Sequence, residues 1–241
     1  MEKICDIYCF KKTRTPLVNS SYSLKDVELV VFDMDGVITD VNSSWNFIHS
    51  HFNSDNLNSV NAYLRGKIDD YEFIRRDISL WKENGRLSKK EKIKNILYKI
   101  SFMKGAKRCI YNLKKLDIKT AIVSAGISIL AERAQKKFGI DYVYANGLKS
   151  DENDFLTGEG VLNVRLMYKD EAIMKLSKKV NVPLDRIVSV GNSCFDIPMF
   201  KLSGFGIAFN PSDQCVVDAA DRVIYKKNLE EIASVIEELI D

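Results

Sequence analysis

The chain is 241 residues long, with 46% hydrophobic and 29% charged residues, enough for one large domain or a core with a smaller insert. Its 36 basic and 33 acidic side chains leave a net charge of +3, and they are dispersed rather than striped, which gives no warrant for a nucleic-acid surface. No apolar run approaches the roughly 18–20 residues that span a bilayer. Met1 to Ser23 lacks the uninterrupted apolar stretch of a signal peptide. Five scattered cysteines (Cys5, Cys9, Cys109, Cys194, Cys215) argue for reduced thiols, so a cytoplasmic protein is expected. Cys5 and Cys9 have no second Cys or His pair at ligand spacing and read as small apolar residues of an N-terminal strand or tail.

In chain order, residues 1–26 form an N-terminal extension of open role. Glu28-Leu29-Val30-Val31-Phe32 reads as a buried strand. Apolar residues then recur at helical spacing from Trp45 to Phe52, from Leu57 to Leu64 and from Tyr71 to Trp81, where Asn84-Gly85 is expected to end the third helix. Ser88-Lys89-Lys90-Glu91 reads as a capping box for a fourth helix through Ile100. Residues 43–103 are therefore expected to form an all-helical cap without strands. From Gly105 strands and helices alternate: a helix at Cys109–Leu116, a strand at Lys119–Ser124, a helix at Ile127–Phe138 and a strand at Tyr142–Tyr144. A β-hairpin follows between Leu148 and Val161, then a helix from Asp170 to Val180 and a strand at Arg186–Val190. A short helix (Ile197–Leu202), strands at Gly206–Phe209 and Arg222–Tyr225 and a last helix (Leu229–Leu239) close the chain. This order predicts an α/β fold: a three-layer Rossmann-like core of mostly parallel sheet, residues 27–42 and 104–241, with the helical cap inserted over the carboxyl ends of the strands.

Chemistry-bearing residues fall at those strand ends. Asp33 and Asp35, in Asp33-Met34-Asp35-Gly36-Val37-Ile38-Thr39, point the same way along an extended chain, and Gly36 lets the backbone turn away. Such a pair can hold a hard cation or divide nucleophilic and proton-transfer work. Ser124-Ala125-Gly126 combines a hydroxyl with free backbone amides, an arrangement suited to phosphate. Lys169 opens a helix, and Gly191-Asn192 through Asp196 offers two oxygen ligands, or simply an N-capped helix.

These four elements, in this order, resemble the motifs of the haloacid dehalogenase superfamily, and more closely its phosphoserine-phosphatase-like branch. Tyr144-Ala145-Asn146 and Leu156-Thr157-Gly158 resemble the hairpin region of that branch. The resemblance implies a Mg²⁺-dependent phosphomonoester hydrolase in which Asp33 attacks phosphorus and forms an aspartyl-phosphate. Asp35 would serve as acid and then base, while Ser124, Ala125 or Gly126 and Lys169 hold the phosphoryl group. Asp33, Asp35, Asn192 and Asp196 form the implied metal set. The implied substrate is a small phosphorylated metabolite, phosphoserine among the candidates. Sugar phosphates and other small organic phosphates are alternatives, as is a catalytically weak binding or regulatory protein on the same fold. Two departures stand out. Asn192 occupies a position where the family carries Asp, which predicts a higher Mg²⁺ requirement. No Glu follows the first motif, so the amino-group contact falls to Asp40 or is absent. Trp45, His49 and Trp81 suggest a differently shaped pocket. Arg65, Arg75 and Arg76 are candidates for a carboxylate contact or, more simply, for surface salt bridges.

Overall fold

In the computed structural model, which describes residues 26–240, the chain runs β1 (Leu29–Phe32), α1 (Ser44–His51), α2 (Leu57–Leu64), α3 (Asp70–Ser79), β2 (Lys82–Glu83), β3 (Arg86–Leu87) and α4 (Lys90–Leu97). It continues with α5 (Ala106–Lys115), β4 (Lys119–Ile127), α6 (Ser128–Phe138), β5 (Tyr142–Ser150), β6 (Leu156–Val161) and α7 (Lys169–Val180). The final elements are β7 (Ile187–Gly191), α8 (Ile197–Leu202), β8 (Phe205–Phe209), α9 (Gln214–Ala219), β9 (Arg222–Ile224) and α10 (Glu230–Ile240). Cys5, Cys9 and all but the last residue of the N-terminal extension lie outside the described residues.

The main sheet has the strand order β6-β5-β4-β1-β7-β8-β9, parallel except for the β5–β6 hairpin. All four residues of β1 are buried because helices cover both faces of the sheet. Alternate side chains enter opposite layers: Val30 and Phe32 pack with Cys109, Leu130 and Ile232 of α5, α6 and α10, whereas Leu29 and Val31 pack with Ile173, Met199 and Val216 of α7, α8 and α9. This is the three-layer α/β core expected from the alternation. Sequence reading missed α9, a six-residue helix capped by Asp213, whose Oδ1 accepts from the Val216 amide.

Residues 43–103 lie between β1 and the rest of the core, and they are not entirely helical. Lys82–Glu83 and Arg86–Leu87 pair antiparallel across Asn84 and Gly85, both at positive φ (49° and 79°). Asn-Gly is the preferred two-residue turn of a hairpin, so the pair expected to stop a helix in fact reverses a ribbon. The capping box at Ser88 does not form either. Lys89 is the N-cap of α4, and the first-turn amide of Glu91 donates instead to Asp154 Oδ2 at 2.9 Å, from the β5–β6 hairpin. Residues distant in sequence therefore supplied the cap.

Several contacts tie the helical segment to the core. The hairpin meets it through Leu156 N donating to Ser88 O at 3.0 Å and Lys90 N donating to Asp154 O at 2.8 Å. On the other side Asp70, buried at the start of α3, accepts from Tyr63 Oη at 2.7 Å, Arg165 Nε at 3.0 Å and Leu166 N at 3.2 Å. Tyr63 and Leu64 of α2 pack there against Met167, Cys194 and Ile197 of the core. Among the described residues, no helix is long and apolar enough to cross a membrane, and Cys109, Cys194 and Cys215 form no disulfide.

Candidate active site

β1 lies between β4 and β7, with Phe32 in register with Ile122 and Val190. The residues following these strands therefore emerge side by side at one edge, which brings Asp33, Ser124 and Asn192 to a common region. Asp33 leaves β1 with its amide still donating to Val190 O at 2.8 Å. Its Oδ1 lies 2.9 Å from Lys169 Nζ, and the same ammonium donates to Asp196 Oδ1 at 2.7 Å. All three side chains are buried. Asp196 Oδ2 accepts from the amides of Asn192 (2.9 Å) and Ser193 (3.0 Å) and closes a capping box with Ser193. Asp196 thus divides its oxygens: Oδ2 caps the helix start and Oδ1 holds Lys169.

Burial pushes the Asp33 carboxyl up to about 7. Lys169 opposes that shift, while Asp196 and Asp35 add to it. For Lys169 burial by itself would lower the pKa, and the carboxylates of Asp196 and Asp33 outweigh it, holding the ammonium protonated.

Asp35 Oδ2 accepts from both the amide and the Oγ of Ser44, each at 2.8 Å, and Thr39 Oγ1 approaches Oδ1 at 3.5 Å. Burial raises the Asp35 pKa, with the Ser44 bonds opposing. Oδ2 is committed to accepting, so a proton on this carboxyl sits on Oδ1. Ser44, the first residue of α1, was not singled out from sequence. Its signal was the Ser43-Ser44 pair before an amphipathic run, where Ser43 indeed caps the helix.

Ser124-Ala125-Gly126 sits within β4 rather than after it. Val123 pairs with Tyr144 and Ile127 with Asn146, so four steps on β4 oppose two on β5. The surplus bulges out of the ladder and frees the backbone there. Gly126 N donates to Ser124 Oγ at 3.1 Å. A Cβ on Gly126 would lie 2.5 Å from Met34 Cε and 2.8 Å from Asp35 Oδ2, so the turn abuts the Asp35 carboxylate.

The residues present fit a divalent cation. Asp33 Oδ1 is buried and accepts no hydrogen bond beyond its ion contact with Lys169. Asp33, Asp35 and Asp196 are all buried, while the one ammonium beside them, Lys169, pairs with Asp33 and Asp196, a local surplus of acid groups that favours a cation. Asn192 packs beneath the first motif: a Cβ on Gly36, which has φ +78°, would come 2.2 Å from Asn192 Nδ2. Among the described residues no three His, Cys, Asp or Glu side chains are grouped to hold a metal. The oxygen donors on offer are accordingly the Asp33 carboxylate, the Asp35 main-chain carbonyl and the Asn192 amide.

Residues 30–201 match the haloacid dehalogenase-like hydrolase family. The chain belongs to the haloacid dehalogenase-like hydrolases. A phosphoserine phosphatase of Archaeoglobus fulgidus is 29% identical over 216 residues, 88% of this chain but 60% of that longer protein. Phosphoserine phosphatases of Methanocaldococcus jannaschii and Idiomarina loihiensis are 28% and 31% identical, over 86% and 85% of this chain and 97% and 91% of theirs. A substrate-bound phosphoserine phosphatase complex matches with a TM-score of 0.73 at 27% identity, covering 86% of this chain and 97% of that one. A phospho-aspartyl intermediate analogue of phosphoserine phosphatase gives 0.72 at 28%, covering 86% and 98%. These relatives place the chain among the phosphatases of the haloacid dehalogenase-like family.

On the substrate side, Asp40 is drawn to the surface, whereas Arg75 and Arg76 hold the surface salt bridges that are their simpler reading. Asp40 is exposed and pairs with Lys227. Arg75 pairs with Glu72 (2.8 Å) and Glu159 (3.0 Å), and Arg76 with Glu72 (2.8 Å), all on the surface. Arg65 is exposed at the end of α2. The aromatic residues, by contrast, form one network in which His49 and Trp81 are buried and Trp45 is half-buried. Trp81 Nε1 donates to His49 Nδ1 at 3.1 Å, and His49 Nε2 faces Asp77 Oδ2 at 3.5 Å. The Trp45 ring packs at a tilt of 30° against Trp81 with centroids 5.4 Å apart, and its Nε1 donates to Ala125 O at 3.0 Å.

Proposed function

We propose that this protein is a Mg²⁺-dependent phosphomonoester hydrolase of the cytoplasm that acts on a small phosphorylated metabolite through an aspartyl-phosphate on Asp33. The observation that carries the proposal is the buried Lys169 ammonium bridging Asp33 and Asp196, with Asp35 anchored alongside by Ser44. In this reading an Asp33 carboxylate oxygen attacks phosphorus while the ester P–O bond breaks. The Asp35 Oδ1 proton passes to the departing alkoxide, which suits a carboxyl whose pKa burial has raised. The resulting Asp35 carboxylate takes a proton from water, whose oxygen attacks phosphorus and frees Asp33 and inorganic phosphate. Lys169 and the Ser124–Gly126 turn meet the negative charge on the phosphoryl oxygens.

The Asp33 carboxylate, the Asp35 carbonyl and the Asn192 amide oxygen would hold Mg²⁺, with Asp196 orienting Lys169 rather than serving as a ligand. Mg²⁺, when bound, supplies positive charge that favours ionised Asp33 and offsets the phosphoryl charge. Residues 43–103 act as the cap that excludes water. O-phosphoserine is the first substrate to test, on the strength of the relatives. The surface pairing of Arg75, Arg76 and Asp40 favours a second reading, a small organic phosphate whose leaving group carries no zwitterion. Phosphate release from a panel holding both classes, with Mg²⁺, is expected from the wild type and lost in Asp33→Asn. Equal turnover by the two proteins would remove the aspartyl-phosphate mechanism.

A further inference from the structure

Ala125 O is the acceptor at which two distant parts of the molecule meet. Trp45 Nε1 reaches it from α1 at 3.0 Å, and Asn146 Nδ2 reaches it from β5 at 3.2 Å. Asn146 is itself locked. Its Oδ1 accepts from the amides of Asn163 (2.8 Å) and Val164 (2.9 Å), and Nδ2 also donates to Val164 O at 2.9 Å. With two backbone N–H groups pointing at Oδ1, the amide has only one orientation that satisfies its neighbours. Asn146 thereby joins the phosphate turn to the segment that leads into Lys169.

The carbonyl of Ala125 and the N–H of Gly126 belong to one planar trans peptide and point in opposite directions. Two donors that fix and polarise the carbonyl therefore fix the direction of that N–H and strengthen it as a donor. That N–H donates to Ser124 Oγ at 3.1 Å, which leaves the Ser124 hydroxyl proton free to be given to another acceptor. The β4–β5 register shifts across this segment, so side chains from α1 and β5 help to set its peptide planes. Ser44, next to Trp45 in sequence, holds Asp35 itself, so the first turn of α1 reaches both the acid and the phosphate turn.

We propose that Trp45 and Asn146 are positioning residues that orient the Ala125–Gly126 peptide, whose Gly126 N–H in turn holds Ser124 Oγ in place for the phosphoryl group. The inference rests on the phosphatase reading of the site. It also makes the donor depend on the helical segment, because Trp45 withdraws its bond whenever α1 moves off the core.

The test is steady-state kinetics on the best substrate, with orthovanadate as the probe of phosphoryl-site complementarity. Trp45→Phe keeps an aromatic ring against Trp81 and removes only the N–H. Asn146→Asp keeps the Oδ1 acceptor and replaces the donor by a carboxylate oxygen aimed at Ala125 O. For Trp45→Phe, kcat and vanadate affinity are each expected to fall roughly five- to tenfold, the worth of one hydrogen bond, with KM changed less than about twofold. The melting temperature is expected to stay within about 2 °C of wild type. Because both residues act through one carbonyl, the double variant is expected to lose less than the product of the single losses. Wild-type kcat and vanadate affinity in an active Trp45→Phe enzyme would overturn the inference alone, as would multiplicative losses in the double variant. A wild type that neither turns over any substrate nor binds vanadate would overturn the phosphatase reading and the inference with it. If Asn146→Asp does not fold, Trp45→Phe decides the matter.

Discussion

Replacing Lys169 by Met tests the electrostatics of the site without relying on turnover. The ammonium is the shared partner of Asp33 and Asp196, at 2.9 and 2.7 Å, and both carboxylates are buried. Methionine keeps most of the volume, so the loss is chiefly one of charge. Removing one partner of a buried ion pair costs about 3–5 kcal/mol, because the remaining charge stays desolvated. At roughly 2–4 °C per kcal/mol for a domain of this size, Lys169→Met is expected to melt roughly 6–20 °C below wild type in EDTA at pH 8. The sign of the pH dependence follows from Asp33, whose carboxyl is raised from 3.8 to about 7 in the folded wild type. An acid raised on folding has no effect on stability below its unfolded pKa. Its destabilisation grows as pH rises through the window from about 3.8 to about 7 and is constant above it. Without Lys169 the folded value moves higher still, so the window widens and the deficit is larger at pH 8 than at pH 5. Thermal melts of both proteins in EDTA from pH 5 to pH 8 measure this. A deficit below about 3 °C at pH 8, or one that grows toward pH 5, would refute the reasoning.

Further outcomes follow from the same geometry. Asn192→Asp restores a negative ligand and is expected to lower the Mg²⁺ concentration needed for half-maximal turnover; an unchanged Mg²⁺ titration would contradict Asn192 as a ligand. Gly126→Ala places a Cβ 2.8 Å from Asp35 Oδ2 and 2.9 Å from Ser44 Oγ. It should cost about 1–3 kcal/mol in denaturant unfolding and reduce kcat at least about tenfold. Gly85→Ala meets no atom within 4 Å, so only the φ of +79° opposes it. The expected cost is about 1–2 kcal/mol with kcat unchanged, which denaturant melts and a turnover assay would check together.

Much of this molecule was legible along the chain because its signals are local. Four consecutive apolar residues at Leu29–Phe32, followed by Asp33 and Asp35 with Gly36 at the turn, require only the two-residue period of a strand and the freedom of glycine to be read. The helices over Ser44–His51, Leu57–Leu64 and Asp70–Ser79 follow from apolar spacing in the same way. The ribbon at Asn84-Gly85 was also written locally, and it was missed because a helix stop and a hairpin turn draw on the same residues.

What the chain order could not disclose is which partners each group finds. Asp40 and Asp35 are both acids near one strand end, yet Asp40 pairs with Lys227 at the surface while Asp35 is held by Ser44 in the interior. Ser88 had the spacing of a capping residue, but the hairpin brought Asp154 to the open amide first. Asp196, Lys169 and Asp33 are spread over more than half the chain, and only the placement of β1 between β4 and β7 brings their charges within 3 Å. Local sequence determines φ, ψ and periodicity, which are short-range properties. Charge pairing and peptide orientation at the site depend on distances across the sheet, and those are set by packing.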